Sequence, residues 1–194
     1  FPVFVLICGL FSAVTVTRLR ATHNSQTVFY MPIQAFEALR YNPKRVKIAL
    51  VTAPPYDIIS PFYQDQLYAR DERNVIRLEL GKDFQMDDIL HNRYTRAKEF
   101  IESWRREGVL VQAKERSVFV YEQEFVNPET KKKMKRLAFF ARLKTEEFGK
   151  GCVYPHEFTL SGPKADRLKL LATTKTNLSP IFGLYEDPRK NIRG

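Results

Sequence analysis

The stretch from Thr159 to Leu168 contains the residue types of an anion-binding site. Ser161 and Gly162 form a turn that leads into a predicted helix, so the first backbone amides of that helix have no intrahelical partner. Lys164 and Arg167 lie in its first turns, where the helix dipole ordinarily favours acidic residues. The pattern therefore favours a phosphate ligand over the alternative, a capped surface helix with solvated charges.

A histidine and a carboxylate lie just upstream of this stretch. His156 and Glu157 belong to the run Tyr154 to Thr159, which has no helical or strand periodicity. Neighbouring side chains on a strand point in opposite directions, but an irregular loop can bring both to one substrate atom. The pair is therefore a candidate for acid–base catalysis. It is a poor zinc site, because His91 lies on a distant predicted helix.

Asp57 follows two prolines and is a third candidate. Pro54 and Pro55 stiffen the loop that carries it, which fixes the carboxylate at low entropic cost, as a catalytic base or metal ligand requires. The alternative is a turn residue that leads into the next helix. That helix is predicted to begin at Ser60 and Pro61, because serine is a favoured N-cap and proline a favoured first residue.

Arg77 is the fourth candidate, on a predicted strand from Asn74 to Leu80. The alternation of this segment places Arg77 and Glu79 on one face of the strand. The guanidinium could bind a phosphate or carboxylate, or it could form an ion pair across the sheet. Beyond these four clusters the chain has no phosphate-binding loop, dinucleotide fingerprint, nucleophile elbow or metalloprotease helix, and no metal ligand set is predicted.

The elements that would position these residues alternate between strands and helices, which predicts a mixed α/β domain of the α+β class. The longest predicted helix runs from Asp87 to Glu107, with an apolar stripe of Leu90, Tyr94, Ala97, Ile101 and Trp104. The other predicted elements are an extended run at Lys47–Thr52, a helix ending near Tyr68, a strand at Val109–Val111, a hairpin of Ser117–Phe125 with Lys135–Arg142, a helix opened by Ser161, and a buried strand at Ile181–Tyr185.

The amino-acid composition excludes several classes of protein. The chain has 194 residues, 44% of them hydrophobic and 28% charged, with 8 glycines and 11 prolines, which is globular texture and excludes collagen-like and disordered chains. Two cysteines, Cys8 and Cys152, cannot form a disulfide framework or a four-cysteine zinc site. Nothing in the cysteine count argues for secretion, and we expect a cytoplasmic protein.

The first thirty residues differ in amino-acid composition from the rest of the chain. Residues 1–14 are almost entirely apolar, too short to span a membrane, and lack the basic region of a signal peptide. We expect residues 1–30 to be a leader or gene-model extension, and residues 31–194 to be the N-terminal part of one domain. The abrupt end after the predicted strand at Ile181–Tyr185 suggests a C-terminally truncated chain.

The chain is strongly basic, with 32 Lys and Arg residues against 22 Asp and Glu residues and a net charge of +10. Removing residues 1–30 removes Arg18 and Arg20 and leaves a net charge of +8. The densest basic run, Lys131 to Arg136, follows the turn residues Asn127 and Pro128. We interpret it as the solvated tip of a hairpin; the alternative is a nucleic-acid surface, which needs these cations and Lys164 on one continuous face.

From Met31 to about Pro188 the chain contains, in this order, the phrases MPIQAF, ALRY, APPYD with Ser60-Pro61, NVIRLELG, Arg93-Tyr94, YEQ, PHEFTLSGPKADRL and NLSPIFG. Taken together, these phrases resemble the bacterial and archaeal domain of unknown function 1015 family, in which they occur in the same order. Two departures stand out. The family has no counterpart to residues 1–30, and its residue after the PHE triad is often basic where this chain has Phe158.

The resemblance implies kinship with the ParB and sulfiredoxin superfamily, hence a mixed sheet with flanking helices. That superfamily includes nucleotide-using enzymes, among them free-serine kinases. The implied activity is phosphoryl transfer, with ATP or ADP and magnesium, to a small hydroxyl metabolite such as free serine, without a membrane partner. A nucleic-acid-binding module and a non-catalytic scaffold remain alternatives, and the oligomeric state is open.

In the kinase interpretation, each candidate residue has a role set by its chemistry. Asp57 or Glu157 would accept the substrate proton or hold magnesium, and the amide of Gly162 would bind phosphate. The cations would stabilise the transferring phosphoryl group; they are His156, Arg77, Lys164 and Arg167.

Overall fold

The computed structural model describes residues 33–144, 146–147, 150, 161–181 and 183. Within these ranges the protein is a mixed α+β structure, as predicted. The elements in chain order are β1 (Ile33–Gln34), β2 (Leu39–Tyr41), α1 (Ile48–Val51), a 3₁₀ turn (Tyr56–Ile58), α2 (Pro61–Arg70), α3 (Ile76–Glu79), α4 (Arg93–Arg106), β3 (Leu110–Gln112), β4 (Phe119–Val126), β5 (Lys133–Phe140), β6 (Arg142–Leu143) and α5 (Ser161–Thr174). The leader predicted at residues 1–30 lies outside the described residues and stays a prediction.

The strands of the described part form three separate two-stranded antiparallel ladders, β1 with β6, β2 with β3, and β4 with β5. The resemblance implied one mixed sheet, which is not seen among these residues. The β4–β5 ladder is the predicted hairpin and is therefore confirmed. It runs from the pair Phe119 and Phe140 to the pair Val126 and Lys133.

The main core lies between the helices and the β2–β3 ladder. Trp104 of α4 is fully buried at its centre, with its ring centroid 6.1 Å from that of Tyr41 and 5.7 Å from that of Phe100. The other buried members are Leu39, Val51, Ala53, Leu67, Val75, Ile76, Leu78, Ala97, Ile101, Val109, Leu110, Leu170 and Leu178. Residues from every helix thus converge on one core, which fixes α3 and α5 relative to α4.

The strand predicted at Asn74–Leu80 is wrong, because this segment forms a turn and the short helix α3. The buried side chain of Asn74 explains the difference. Its Nδ2 donates to the carbonyls of Leu50 and Thr52 at 2.7 and 3.1 Å, and its Oδ1 accepts from the amide of Ile76 at 3.0 Å. These bonds hold the start of a helical turn, which outweighs the β propensity of two branched residues.

The extended backbone predicted at Lys47–Thr52 is also wrong, since Ile48–Val51 form the helical turn α1. Proline restricts chiefly the residue before it. Pro54 therefore constrains the backbone of Ala53, and the residues further upstream are free to adopt helical backbone angles.

The long helix starts later than predicted. Asn92 is its N-cap, accepting from the amides of Tyr94 and Thr95, while the Thr95 hydroxyl contacts the backbone of Asn92 in a capping box. Leu90 therefore lies before the helix and is 72% exposed. The rest of the predicted stripe is confirmed as buried at Ala97, Ile101 and Trp104.

Two further predictions concern the ends of other elements. The start of α2 is confirmed, because the Ser60 side chain accepts from the amide of Tyr63 and Pro61 is the first helical residue. The buried strand at Ile181–Tyr185 is wrong where it can be checked, since Ile181 is 74% exposed and neither it nor Gly183 is in a strand. The remaining three positions lie outside the described residues.

Candidate functional site

Asp166 joins helix α5 to helix α4. Its Oδ1 accepts from Arg93 Nη2 at 2.6 Å and from the Tyr94 hydroxyl at 2.8 Å. Burial acts to raise the pKa of Asp166, but hydrogen bonds from Arg167 and Tyr94 outweigh it, so the pKa lies below its usual value. Asp166 is therefore an ionised anchor that holds the first half of α5 against α4.

Arg167 extends from this anchor to three other segments. Its Nε donates to Asp166 at 2.8 Å, Nη2 donates to the backbone carbonyl of Glu79 at 2.9 Å, and Nη1 donates to Ser179 Oγ at 3.3 Å. The guanidinium carbon also lies 4.1 Å from the centroid of the Tyr56 ring. One cation thus connects α5, α3, the segment after α5 and the 3₁₀ turn.

Glu79 is the buried carboxylate at the centre of this arrangement, only 8% exposed. Ser179 Oγ donates to Glu79 Oε1 at 2.9 Å. Burial raises the pKa of Glu79 from 4.5 to about 7, against the opposing effects of the Ser179 hydrogen bond and the Arg167 charge. A carboxyl group with a pKa near neutrality can both accept and release a proton at physiological pH.

Asp57 lies at the exposed side of the same cluster, in the 3₁₀ turn that follows Pro55. Burial raises the pKa of both Glu79 and Tyr56, and the negative charge of Asp57 raises each of them further. Asp57 is the sequence neighbour of Tyr56, whose ring stacks on Arg167, and it is accessible to solvent whereas Glu79 is buried. The structure therefore brings together Asp57 and Arg167 of the predicted set.

The first turn of α5 is open to solvent. Ser161, Gly162 and Lys164 are exposed, and a Cβ added at Gly162 would have no atom within 4 Å. No acidic residue lies in this first turn. Lys164 and Arg167 do not act as a pair on one surface, because Arg167 is turned toward Asp166 and Ser179 while Lys164 remains exposed.

Arg77 is not part of the cluster. It lies on α3, and its terminal nitrogens donate to the carbonyls of Asp71 and Tyr68 at 2.9 Å each, at the end of α2. Its guanidinium also stacks on the Tyr68 ring, at 4.4 Å from the centroid. These contacts give Arg77 a structural role, the capping of a helix C-terminus.

His156 and Glu157 lie outside the described residues, and their predicted roles stay predictions. Within the described ranges, no group of three or more His, Cys, Asp and Glu residues is placed to hold a metal ion. In the same part of the chain, no helix combines the length and the apolar character that a membrane span requires.

Glu79 and Ser179 are central to this site but were not among the predicted catalytic or binding residues. Glu79 was placed on a strand, and Ser179 is 100 positions away from it in the chain. The sequence signals for them were weak: Glu79 is a carboxylate between Leu78 and Leu80, and Ser179 lies within a phrase that carried the family resemblance.

The glycine after α3 allows a close approach to α4. A Cβ at Gly81 would lie 3.2 Å from Arg93 Cβ and 3.4 Å from the Arg93 carbonyl. The backbone two residues after Glu79 therefore packs directly against Arg93, which donates a hydrogen bond to Asp166.

The chain matches the family model described as "Protein of unknown function (DUF1015)" over residues 33–193. Because the match covers most of the chain, the protein belongs to this family. Neither the curated proteins nor the solved structures include a match.

Proposed function

We propose that the protein transfers a phosphoryl group from a nucleotide to the hydroxyl of a small metabolite such as free serine. The observation that carries this proposal is the convergence of Asp57, Tyr56, Arg167, Ser179 and Glu79 from four segments of the chain. Phosphoryl transfer is catalysed mainly by positioning and electrostatic stabilisation, and this cluster supplies a cation, an exposed carboxylate and a proton acceptor.

Asp57 faces solvent and is the group that a substrate hydroxyl can reach. In this proposal it accepts the substrate proton or holds magnesium, an ion that enzymes commonly bind through one or two carboxylates together with the substrate phosphates. The magnesium, with ATP or ADP as the donor, would supply charge neutralisation at the phosphates. Glu79 is too buried for that contact and acts behind Asp57.

The exposed first turn of α5 suits the phosphates of the donor. The amides of Ser161 and Gly162 have no partner within the helix, and Lys164 adds a positive charge beside them. Arg167, bound to Ser179, lies one turn further along the same helix and stabilises negative charge near Glu79. We leave Arg77 out of the proposed site because the end of α2 occupies its donors.

Kinship of the family with the ParB and sulfiredoxin superfamily, which the sequence resemblance implies, would support a kinase, since free-serine kinases occur there. Fold kinship is weaker support than site chemistry, because one fold hosts many functions. The proposal therefore depends on the cluster first and on the kinship second.

The test is a screen of the full chain with magnesium, ATP or ADP, and a panel of hydroxyl metabolites that includes serine. A phosphorylated metabolite detected by mass spectrometry, together with consumed nucleotide, is the expected result. No product with either nucleotide across the panel would contradict the proposal.

Calorimetry of nucleotide binding tests the phosphate site separately. Lys164→Ala should weaken binding roughly tenfold, the size expected for one charge-assisted contact of about 1.4 kcal/mol. Lys169→Ala is the matched control, because Lys169 is exposed on the same helix but two turns from its start in the direction of the C-terminus. Equal weakening by both variants would point to general electrostatics instead of a site.

A nucleic-acid-binding module is the second candidate function. The observation in its favour is the exposed tip of the β4–β5 hairpin, where Lys131, Lys132 and Lys133 have no ion-pair partner among the described residues. Lys135, by contrast, pairs with Glu122 at 2.8 Å. Salt-dependent binding to duplex DNA, lost on reversing these three charges, would support this candidate.

A further inference from the structure

The hydroxyl of Ser179 lies between a buried carboxylate and a guanidinium. Ser179 Oγ donates to Glu79 Oε1 at 2.9 Å and accepts from Arg167 Nη1 at 3.3 Å. Arg167 also donates to the backbone carbonyl of Glu79, so the same guanidinium contacts both the serine hydroxyl and the main chain of the residue whose carboxylate faces it. A hydroxyl that is hydrogen-bonded to a base is the common arrangement of activated serines.

We propose that Ser179 is the first acceptor of the phosphoryl group and that the reaction passes through a phosphoserine at this position. Its Oγ attacks the terminal phosphorus of a bound nucleoside polyphosphate, and the hydroxyl proton moves to the Glu79 carboxylate. The bond between that phosphorus and the bridging oxygen breaks, and the nucleotide leaves with one phosphate fewer. This inference rests on the proposed function, which supplies the nucleotide.

The second half of the reaction reverses the proton transfer. The metabolite hydroxyl attacks the phosphoserine and gives its proton to Asp57, while the departing Ser179 oxygen takes back the proton held by Glu79. Glu79 thus acts once as base and once as acid, and the proton passed to Asp57 leaves to solvent because Asp57 is exposed.

The electrostatic surroundings of Ser179 suit both steps of the proposed reaction. The pKa of Glu79, raised by burial to about 7, lets the group take and return a proton near neutral pH. Arg167 offers a fixed positive charge at the serine oxygen, where negative charge develops when the proton leaves and again when the phosphoserine is cleaved. No cation among the described residues forms an ion pair with the Glu79 carboxylate itself, so its basicity is not reduced by direct pairing.

The test uses the full chain with magnesium and a γ-labelled nucleoside triphosphate in the absence of any acceptor metabolite. We expect one acid-stable phosphate on the peptide that contains Ser179, located by mass spectrometry. Acid stability separates phosphoserine from a phosphohistidine or acyl phosphate at another candidate residue. Ser179→Ala should lose the label, and Ser179→Thr, which keeps a hydroxyl, should retain part of it.

Ser103→Ala is the matched control, because Ser103 also donates to a glutamate, Glu107, but in an exposed position on α4. This variant should be labelled like the unchanged protein. Melting temperatures of all variants show whether any loss of label follows from unfolding.

The outcomes separate this inference from the function on which it rests. Phosphorylation of a metabolite by Ser179→Ala at the normal rate would overturn the covalent step and leave the kinase proposal intact, as would a label found on another residue. Absence of both label and metabolite product in the unchanged protein overturns both proposals. Release of the label on adding the acceptor metabolite, with ping-pong kinetics, is the expected positive result.

Discussion

Two sets of serine, glutamate and arginine can be compared among the described residues, and they differ in which groups the arginine binds. In the set at the C-terminal end of α4, Arg73 pairs directly with the Glu107 carboxylate at 2.7 Å, and Ser103 donates to the same carboxylate. In the set formed by Ser179, Glu79 and Arg167, the guanidinium binds the serine hydroxyl and the glutamate backbone. Among the described residues, the serine is the one that forms a hydrogen bond to that carboxylate.

The two glutamates, Glu107 and Glu79, also differ in how deeply they are buried. The side chain of Glu107 is 39% exposed, whereas residue Glu79 is 8% exposed. A solvated carboxylate with a direct cation partner is stable as an anion and contributes a surface ion pair. A buried one without such a partner takes up protons more readily. The same three residue types therefore form a surface contact in one place and surround a buried carboxylate with a raised pKa in the other.

The largest expected effect distinguishes the two glutamates. Glu79→Gln removes the proposed base and should lower the rate of phosphoryl transfer by about 10²- to 10⁴-fold, the usual size for general-base catalysis. Glu107→Gln should leave the rate within about threefold, since it removes only surface contacts. Initial rates of product formation measure both, and equal effects from the two variants would refute the distinction between the sets.

The second prediction concerns pH and stability. The pKa of Glu79 is about 7 in the folded chain against an ordinary value of 4.5, so the folded state holds this proton more tightly than the unfolded state does. Its contribution to stability is complete below about pH 4.5 and is lost as the pH rises through 7. Between those values the free energy of unfolding should fall by about 3 kcal/mol, at 1.36 kcal/mol per pKa unit.

Glu79→Gln lacks this titration. The stability of this variant relative to the unchanged protein should therefore increase from pH 4.5 to pH 8, measured by urea unfolding at several pH values. Glu107→Gln, measured in parallel, corrects for the loss of one negative charge from the chain. A constant difference across the pH range would mean that Glu79 does not titrate as described.

The third prediction compares the carboxylate that binds Arg167 with the ion pair formed by Arg73. Asp166→Ala removes the acceptor for Arg93, Tyr94 and Arg167 together and should cost about 1–3 kcal/mol of stability, the range for leaving buried donors unsatisfied. Arg73→Ala breaks a more exposed pair and should cost about 0–1 kcal/mol. Urea unfolding at pH 7 gives both values, and a larger loss in Arg73→Ala would reverse the ranking.

The smallest effect is expected at the hairpin tip. Replacing Lys131, Lys132 and Lys133 by Glu should leave phosphoryl transfer within about threefold, because exposed cations contribute little to stability and these lie on a separate ladder. Steady-state rates measure the effect. Loss of activity in a folded variant would instead assign this hairpin a functional role.

Local sequence signals predicted the fold where they act over a few residues. The Ser60-Pro61 start of α2, the hairpin and the buried stripe on α4 each depend on neighbouring residues alone. The segment Asn74–Leu80 was mispredicted because the buried side chain of Asn74 binds carbonyls more than twenty positions away. Such long-range hydrogen bonds override local propensity.

The candidate site was predictable in part for the same reason. Asp57 and Arg167 were identified from their local settings, a stiff loop and a helix start. Ser179 and Glu79 meet only through tertiary packing across 100 positions, and no local pattern encodes their contact. Burial of Glu79, which gives the carboxylate its chemistry, likewise depends on the whole core.

The shortness of α3 makes the site a reporter of local unfolding. A helix of four residues has no stability of its own, so Glu79 keeps its position only while α3 is packed against its neighbours. The amides of Glu79 and Leu80 donate to the carbonyls of Val75 and Ile76 at 3.0 and 2.9 Å. Hydrogen exchange at these two amides therefore measures how often Glu79 leaves its buried position, and any solvent or temperature that speeds this exchange should lower the proposed activity.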